Sequence, residues 1–280
     1  MRIAFQGEPG AYSEAAALRF SDHADVVPCE SFEDVFAAVA SGKATHGILP
    51  VENSIGGSIH RNFDLLLEHD LPIVGEVTLP ITHNLMALPG TRLEDVRRIL
   101  SHPQALAQCE RFLRSMSGVS VEATYDTAGS AKLVKEKHLV GAGAIASERA
   151  AQVFGLEILQ SEIQDFSDNI TRFLVVSRVA DPDPLVDKTT VVFSLPNEPG
   201  ALFKALSVFA LRDIDLTKIE SRPIRGRPWE YLFYVDLPLG RHDLRCSRAL
   251  VHLAEFARSM RTLGSYKSWK SREAAAASQV

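Results

Sequence analysis

Up to residue 179 the chain repeats one unit: an apolar strand, a short polar or glycine-bearing turn, then a helix. Residues 2–5 lead into Gly7-Glu8-Pro9-Gly10-Ala11-Tyr12-Ser13 and an alanine-rich segment at 14–20. Residues 48–51 lead into Glu52-Asn53-Ser54-Ile55-Gly56-Gly57 and a helix with Ile59, Phe63, Leu66 and Leu67 on one face. Residues 98–100 lead into Ser101-His102-Pro103-Gln104 and a helix at 105–113. Residues 121–124 lead into Asp126-Thr127-Ala128-Gly129 and another helix. Phe32, Val35, Phe36 and Val39 fall at i, i+3, i+4 and i+7, which predicts an amphipathic helix opened by Ser31 and closed at Gly42. Strands alternating with helices predict an α/β architecture with a largely parallel sheet.

That order stops at residues 180–188 (Ala-Asp-Pro-Asp-Pro-Leu-Val-Asp-Lys), where two prolines and three aspartates rule out a helix or central strand and predict a linker. Beyond it, residues 189–195 read as a β-branched strand. Pro199-Gly200 opens a helix with Leu202, Ala205, Leu206 and Phe209 aligned, and strands follow at 216–221 and 230–237. A helix aligning Leu250, Leu253, Ala254 and Ala257 and a strand near 263–266 complete a βαββαβ order, the ferredoxin-like arrangement. The expected domains are therefore 1–179 and 189–267, with 268–280 as a tail whose last residues, from Ala274, read as disordered.

Composition narrows the function classes. A formal charge of −5 gives no electrostatic reason to expect nucleic acid or an anionic membrane as partner. No apolar run approaches the roughly 18–20 residues that span a bilayer. The N-terminus runs straight into a strand-like segment rather than a secretory leader, and Cys29, Cys109 and Cys246 suggest neither a disulfide framework nor a zinc motif. A reducing cytoplasm is the expectation. Lone histidines without metal-ligand spacing, and Gly7-Glu8-Pro9-Gly10 in place of GxGxxG, point to no metal and no nicotinamide cofactor.

In open α/β sheets ligands gather beyond the carboxyl ends of the strands, where helix N-termini present unpaired N–H groups and partial positive charge. Ser, Thr and Asn at several such ends suit a small carboxylate. The same residues also serve as plain caps, and Ser101-His102-Pro103-Gln104 has the form of a capping box. On pattern alone, capping is the favoured account of Ser101, Asp126 and Thr127. Gly56-Gly57 lets backbone approach a ligand closely, or simply turns the chain. Glu52 is expected away from an anionic substrate, capping a helix or binding a cation. Asn169-Ile170-Thr171-Arg172-Phe173 reads as a polar strand mouth, with a solvated arginine as its plainest reading.

Taken together, these segments resemble prephenate dehydratase over essentially the whole chain. The matching blocks are Gln6-Gly7-Glu8-Pro9-Gly10-Ala11-Tyr12-Ser13-Glu14, Leu49-Pro50-Val51-Glu52-Asn53-Ser54, Ser101-His102-Pro103-Gln104-Ala105-Leu106, Asp126-Thr127-Ala128 and Asn169-Ile170-Thr171-Arg172-Phe173. Past the linker, Asn197-Glu198-Pro199-Gly200-Ala201-Leu202 and Glu220-Ser221-Arg222-Pro223 resemble the two phenylalanine-binding motifs of an ACT domain. Plant-type arogenate dehydratases share these blocks. The resemblance implies a monofunctional lyase without a chorismate mutase domain. Its catalytic half would have the fold of a type II periplasmic binding protein, lobe 1 at about 1–79 plus 155–179 and lobe 2 at about 80–154. It also implies a homo-dimer or tetramer that binds L-phenylalanine as effector and uses no cofactor.

By the same resemblance Thr171 assists departure of the ring hydroxyl, Arg172 holds a carboxylate and Phe173 dries the leaving carboxylate. Ser13, Asn53, Ser54 and Thr127 bind prephenate or arogenate. Asn197, Pro199, Gly200, Ala201 and Leu202, with Glu220, Ser221, Arg222 and Pro223, take phenylalanine. The competing class is a non-catalytic, amino-acid-responsive binding protein, against which the intact Thr171-Arg172-Phe173 block argues.

Overall fold

The structure is a computed structural model describing residues 1–277. It divides into two compact units. The first comprises Met1–His69 and Val77–Leu174; the second comprises Asp70–Glu76 and the chain from Val175 onward.

The first unit has two lobes. One carries β1 (Arg2–Gln6), α1 (Tyr12–Phe20), β2 (Asp25–Cys29), α2 (Phe32–Ala40), β3 (His46–Asn53), β4 (Gly57–Ser58), α3 (His60–Glu68) and the end of β5 (Ile73–Pro80). The other carries β6 (Asn84–Ala87), β7 (Arg98–Ser101), α4 (Pro103–Gln108), α5 (Glu110–Ser115), β8 (Ser120–Ala123), α6 (Thr127–Glu136), β9 (Ala142–Ala146), α7 (Glu148–Phe154) and β10 (Glu157–Gln160). The chain then returns to the first lobe as β11 (Ile170–Ser177). The sheets run β2-β1-β3-β11-β5 and β8-β7-β9-β6-β10. In each lobe the strand that has just crossed over, β11 or β6, lies beside the third strand of that lobe's own run. Two crossings thus join two similarly wound sheets, the two-lobed α/β arrangement expected.

Local chemistry sets the helix ends. Ser31 caps α2 reciprocally with Asp34, each side chain taking the other's backbone N–H at 3.1 Å. The helix expected at 105–113 is instead two short ones meeting at Cys109. The Gln108 carbonyl accepts from Asp165 N at 2.7 Å, so it leaves the helical ladder. The expected Ser101 capping box does not form either. Ser101 is fully buried and donates to the Ile145 carbonyl at 2.6 Å, while His102 is the cap, its Nδ1 accepting from Gln104 N. Beneath these helices, Leu85, Val96, Ile99, Cys109 and Ile145 form an apolar core.

The second unit comprises β12 (Lys188–Ser194), α8 (Ala201–Ala210), β13 (Lys218–Pro223), β14 (Tyr231–Leu237), α9 (Leu244–Phe256), β15 (Ser259–Tyr266) and α10 (Trp269–Ala277). Strand order β13-β14-β12-β15 with α8 and α9 is the ferredoxin-like βαββαβ expected. Val191, Phe193, Val235 and Leu237 on one face of the sheet pack with Ala205, Val208, Phe209, Ala249 and Leu253 of the helices. β15 runs beside the start of β5, and Gly264 is required there because a Cβ would fall 2.1 Å from the Ile73 carbonyl oxygen. Two boundaries differ from expectation. Lys188, counted with the linker, opens β12. The expected tail is helical over Trp269–Ala277 with Trp269 buried, and Ser278, Gln279 and Val280 lie outside the described residues.

Candidate active site

Between the lobes of the first unit lies a cavity of about 610 Å³, a size suited to a small organic ligand. It opens where β1, β3 and β7 end. The first residues of four helices line it: Tyr12 and Ser13 on α1, Phe32 on α2, Gln104 on α4 and Thr127 on α6. Backbone N–H groups at these ends favour anions.

Strand alternation sorts the Asn169–Phe173 block. Thr171 and Phe173 are buried and line the cavity. Arg172 falls on the other face of β11 and does not line it; its guanidinium lies 4.0 Å from Glu52. Glu52 therefore faces a cation, as expected, and that cation is the arginine assigned to the substrate's carboxylate. Asn53, Ser13 and Thr127 reach the cavity wall, whereas Ser54 does not. The Ser54 hydroxyl donates to the Asp168 carbonyl at 2.7 Å and accepts from Ile170 N at 2.9 Å, fastening the approach to β11.

A chain of buried polar groups runs behind the wall, and its polarity can be read from one end. Asn53 Oδ1 accepts from the backbone N–H groups of Ile55 at 3.1 Å and Gly56 at 2.7 Å, so its Nδ2 must point the other way. Nδ2 donates to Asn169 Oδ1 at 2.7 Å and to Thr171 Oγ1 at 2.9 Å. Asn169 Nδ2 then donates to Gln108 Oε1 at 3.0 Å, and His83 Nε2 lies 2.8 Å from the same oxygen. An acceptor already fixed there requires the proton on His83 Nε2. Burial lowers the His83 pKa and so favours the neutral ring, whose Nδ1 lies 2.8 Å from the Tyr12 hydroxyl. The Tyr12 hydroxyl also stands 2.7 Å from the Thr82 carbonyl, and burial holds its pKa well above the ordinary value. With Asn53 occupying a lone pair of Thr171 Oγ1, the threonine's own proton is left to donate.

His83, Gln108, Asn169 and Tyr12 were not singled out as site residues from sequence. Asn169 and Tyr12 sit inside the quoted blocks. His83 and Gln108 carry no local signal, since only the crossings bring them together. Cys109, next to Gln108, is inert: burial pushes its thiol up to about 12.

In the second unit, Asn197, Ala201 and Leu202 border a hollow of about 110 Å³ with Trp229 and Tyr231. Gly200 caps α8 at φ +80°, a backbone that suits glycine, with Pro199 before it in the turn. Glu220, Ser221, Arg222 and Pro223 lie on β13, at the edge of the strand order. Register pairs Ser221 with Phe233 and Glu220 with Tyr234, so alternation sends Ser221 and Pro223 to one face and Glu220 and Arg222 to the other.

A two-lobed cleft walled by helix N-termini and oriented hydroxyl and amide groups, with a separate ferredoxin-like unit, defines a small-acid enzyme carrying an effector-binding domain. The prephenate dehydratase family profile matches residues 3–181 and the ACT domain profile residues 189–241; the chain belongs to the prephenate dehydratase family. It is 50% identical to Arogenate dehydratase/prephenate dehydratase 2, chloroplastic, of Arabidopsis thaliana, over 95% of this chain and 72% of that one. Among solved structures it resembles prephenate dehydratase in complex with L-Phe from Arthrobacter aurescens, with TM-score 0.87, 32% identity and coverage of 100% of this chain and 97% of that one. It equally resembles GqqA, described as a novel type of quorum-quenching acylase, with TM-score 0.87, 36% identity and coverage of 96% and 98%. The relatives correct one expectation. Those of Arabidopsis thaliana are chloroplastic, so the cytoplasmic location inferred from composition and the N-terminal segment does not stand.

Proposed function

We propose that the cavity carries out the decarboxylating dehydration of prephenate or arogenate, with Thr171 as hydrogen-bond donor to the departing ring hydroxyl. The ring carboxylate leaves as CO2, its bonding pair enters the ring, and the C–O bond breaks as the ring becomes aromatic. Hydroxide is a poor leaving group, so the oxygen needs a donor as charge develops on it. The observation that carries this reading is the Asn53 Nδ2 to Thr171 Oγ1 bond of 2.9 Å, which leaves the threonine proton free. Phe173 beside Thr171 keeps the leaving carboxylate poorly solvated. Ser13, Thr127 and the helix N-termini receive the carboxylates. Arg172 acts through Glu52 as a positioning residue, holding the ends of β3 and β11 in register. Acyl transfer, the activity named for GqqA, asks for a nucleophile with a base against it. The group against the Thr171 oxygen is an amide donor, which favours the dehydratase reading.

The second unit senses L-phenylalanine through the Asn197–Leu202 turn and the Glu220–Pro223 edge, paired with another copy of the chain in a dimer or tetramer. Supporting this are the ACT match and the phenylalanine complex of the Arthrobacter aurescens relative. The test is to supply prephenate and arogenate separately, following phenylpyruvate by ultraviolet absorbance and phenylalanine by amino-acid analysis. Formation of neither product sinks the reading. Phenylalanine should inhibit turnover, and Gly200→Val should weaken that inhibition.

A further inference from the structure

Away from the Asn197–Leu202 turn, the second unit carries a separate hollow of about 500 Å³ between the end of α8 and the outer face of α9. Arg212, Ser247, Arg248, Val251, His252 and Glu255 line it. Helical spacing brings most of them together: Arg248, His252 and Glu255 fall at i, i+4 and i+7 of α9, beside Ser247 and Val251. Arg212, just past α8, donates to the Val208 carbonyl at 2.8 Å and to His252 Nδ1 at 3.4 Å. A guanidinium has no acceptor, so Nδ1 must accept, and the neutral ring carries its proton on Nε2.

Uncompensated positive charge sets this hollow apart. Other arginines of the second unit hold carboxylates: Arg245 of α9 reaches Asp243 at 3.4 Å, and Arg258 reaches Glu230 at 2.9 Å. Among the described residues Arg212 meets no carboxylate, and Arg248 has neither a hydrogen bond nor an ion pair. Glu255 lines the hollow and is paired with neither. Two guanidinium forks, an imidazole N–H and a hydroxyl exceed what a carboxylate uses, since one fork satisfies its two coplanar oxygens. A phosphate group presents more oxygens, in a tetrahedron, and up to two negative charges.

We propose that this hollow binds a phosphate group, free or carried by a small ester, with Arg212 and Arg248 as its cations and His252 and Ser247 as further donors. Arg212 is already oriented by Val208 and His252, whereas Arg248 has its whole fork to give. Val251 offers an apolar surface to the remainder of an ester, and Glu255 opposes the anion from the rim.

Arg248 is exposed and unpartnered, so Arg248→Gln removes the charge without breaking a contact of the fold. The measurement is calorimetric titration of the whole chain with inorganic phosphate and, separately, glycerol 3-phosphate, each against sodium chloride of equal ionic strength. Wild type should bind saturably, at one equivalent per chain. Arg248→Gln should weaken binding by about tenfold or more, the scale of a lost hydrogen bond to a charged group, with an unchanged urea midpoint. Glu255→Gln should act in the opposite sense, tightening binding by about twofold or more as a rim charge is removed. Saturable binding of either probe that follows this pattern supports the site, and the tighter probe tells free phosphate from an ester. No heat beyond the chloride control with both probes, or an Arg248→Gln protein that binds as wild type does, overturns the proposal.

Discussion

The polar chain behind the cavity and the polar cluster on the far face of the second unit's sheet are both buried, yet one is made of neutral dipoles and the other of ions. In the first unit, donations from Asn53 through Asn169 and from His83 meet on the Gln108 side-chain oxygen, with Tyr12 beside His83. In the second, Lys188 Nζ sits 2.9 Å from Glu76 and 3.9 Å from Asp236, with Thr190 donating to Asp236 at 2.6 Å and Trp269 N to Glu76 at 3.1 Å. Neutral amides cost little to bury once satisfied, and their donors and acceptors can be aimed. Ions are costly to bury, and removing one partner strands the other. The difference teaches where each network acts. The amide chain ends on the Thr171 hydroxyl at the cavity, where it directs chemistry in the proposed reaction, whereas the ionic cluster ties β5, β12 and β14 together.

The ionic side breaks hardest. Lys188→Met should cost about 3 kcal/mol or more of stability by leaving two buried carboxylates without their cation, read as a lower urea midpoint. Adding Glu76→Gln should recover part of that loss. A midpoint that does not move would mean the cluster is no more than surface charge.

The neutral side should break in rate rather than stability. Asn53→Asp puts an acceptor where Nδ2 donates to Thr171 and Asn169. It should lower kcat by roughly 10²-fold, the scale of a misplaced acid–base group. Should kcat stay near wild type, the direction of the chain does not matter to turnover.

His83→Gln sharpens the contrast with the smallest effect. Burial depresses the folded-state His83 pKa, so on acidification the unfolded chain takes up a proton first. The stability at stake is whole above the unfolded pKa of about 6.5 and is lost as pH falls through the lower folded value. Urea midpoints measured near neutral pH and near about pH 5 should differ less in the variant than in wild type. An identical acid loss in both would remove His83 from the titrating groups.

How much of this could be read from residues alone depends on distance along the chain. The two domain types were legible because period and order are local signals: strand, turn and helix repeated, then βαββαβ. Asn53 and Thr171 were reachable through the blocks they sit in. The face of Arg172 was also in reach, since a period of two separates it from Thr171 and Phe173, but the block was read as a unit. The Ser101 cap was misplaced because its hydroxyl meets the Ile145 carbonyl, which only the sheet brings near. The helix at Trp269–Ala277 overrides the disordered reading of the tail as far as Ala277, with Trp269 buried at its start. His83 to Gln108 and Gln108 to Asn169 are joined across 25 and 61 residues, by lobe crossings that no local pattern encodes.

The central claim is that Thr171 acts through the proton that Asn53 leaves free. Thr171→Val keeps the shape and removes the hydroxyl; Thr171→Ser keeps the hydroxyl and removes a methyl group. Steady-state kinetics of both against wild type should show kcat down roughly 10²-fold or more in the valine variant, KM changed far less, and most of the rate restored in the serine variant. A valine variant within a few-fold of wild-type kcat, or a serine variant as slow as valine, would contradict the account.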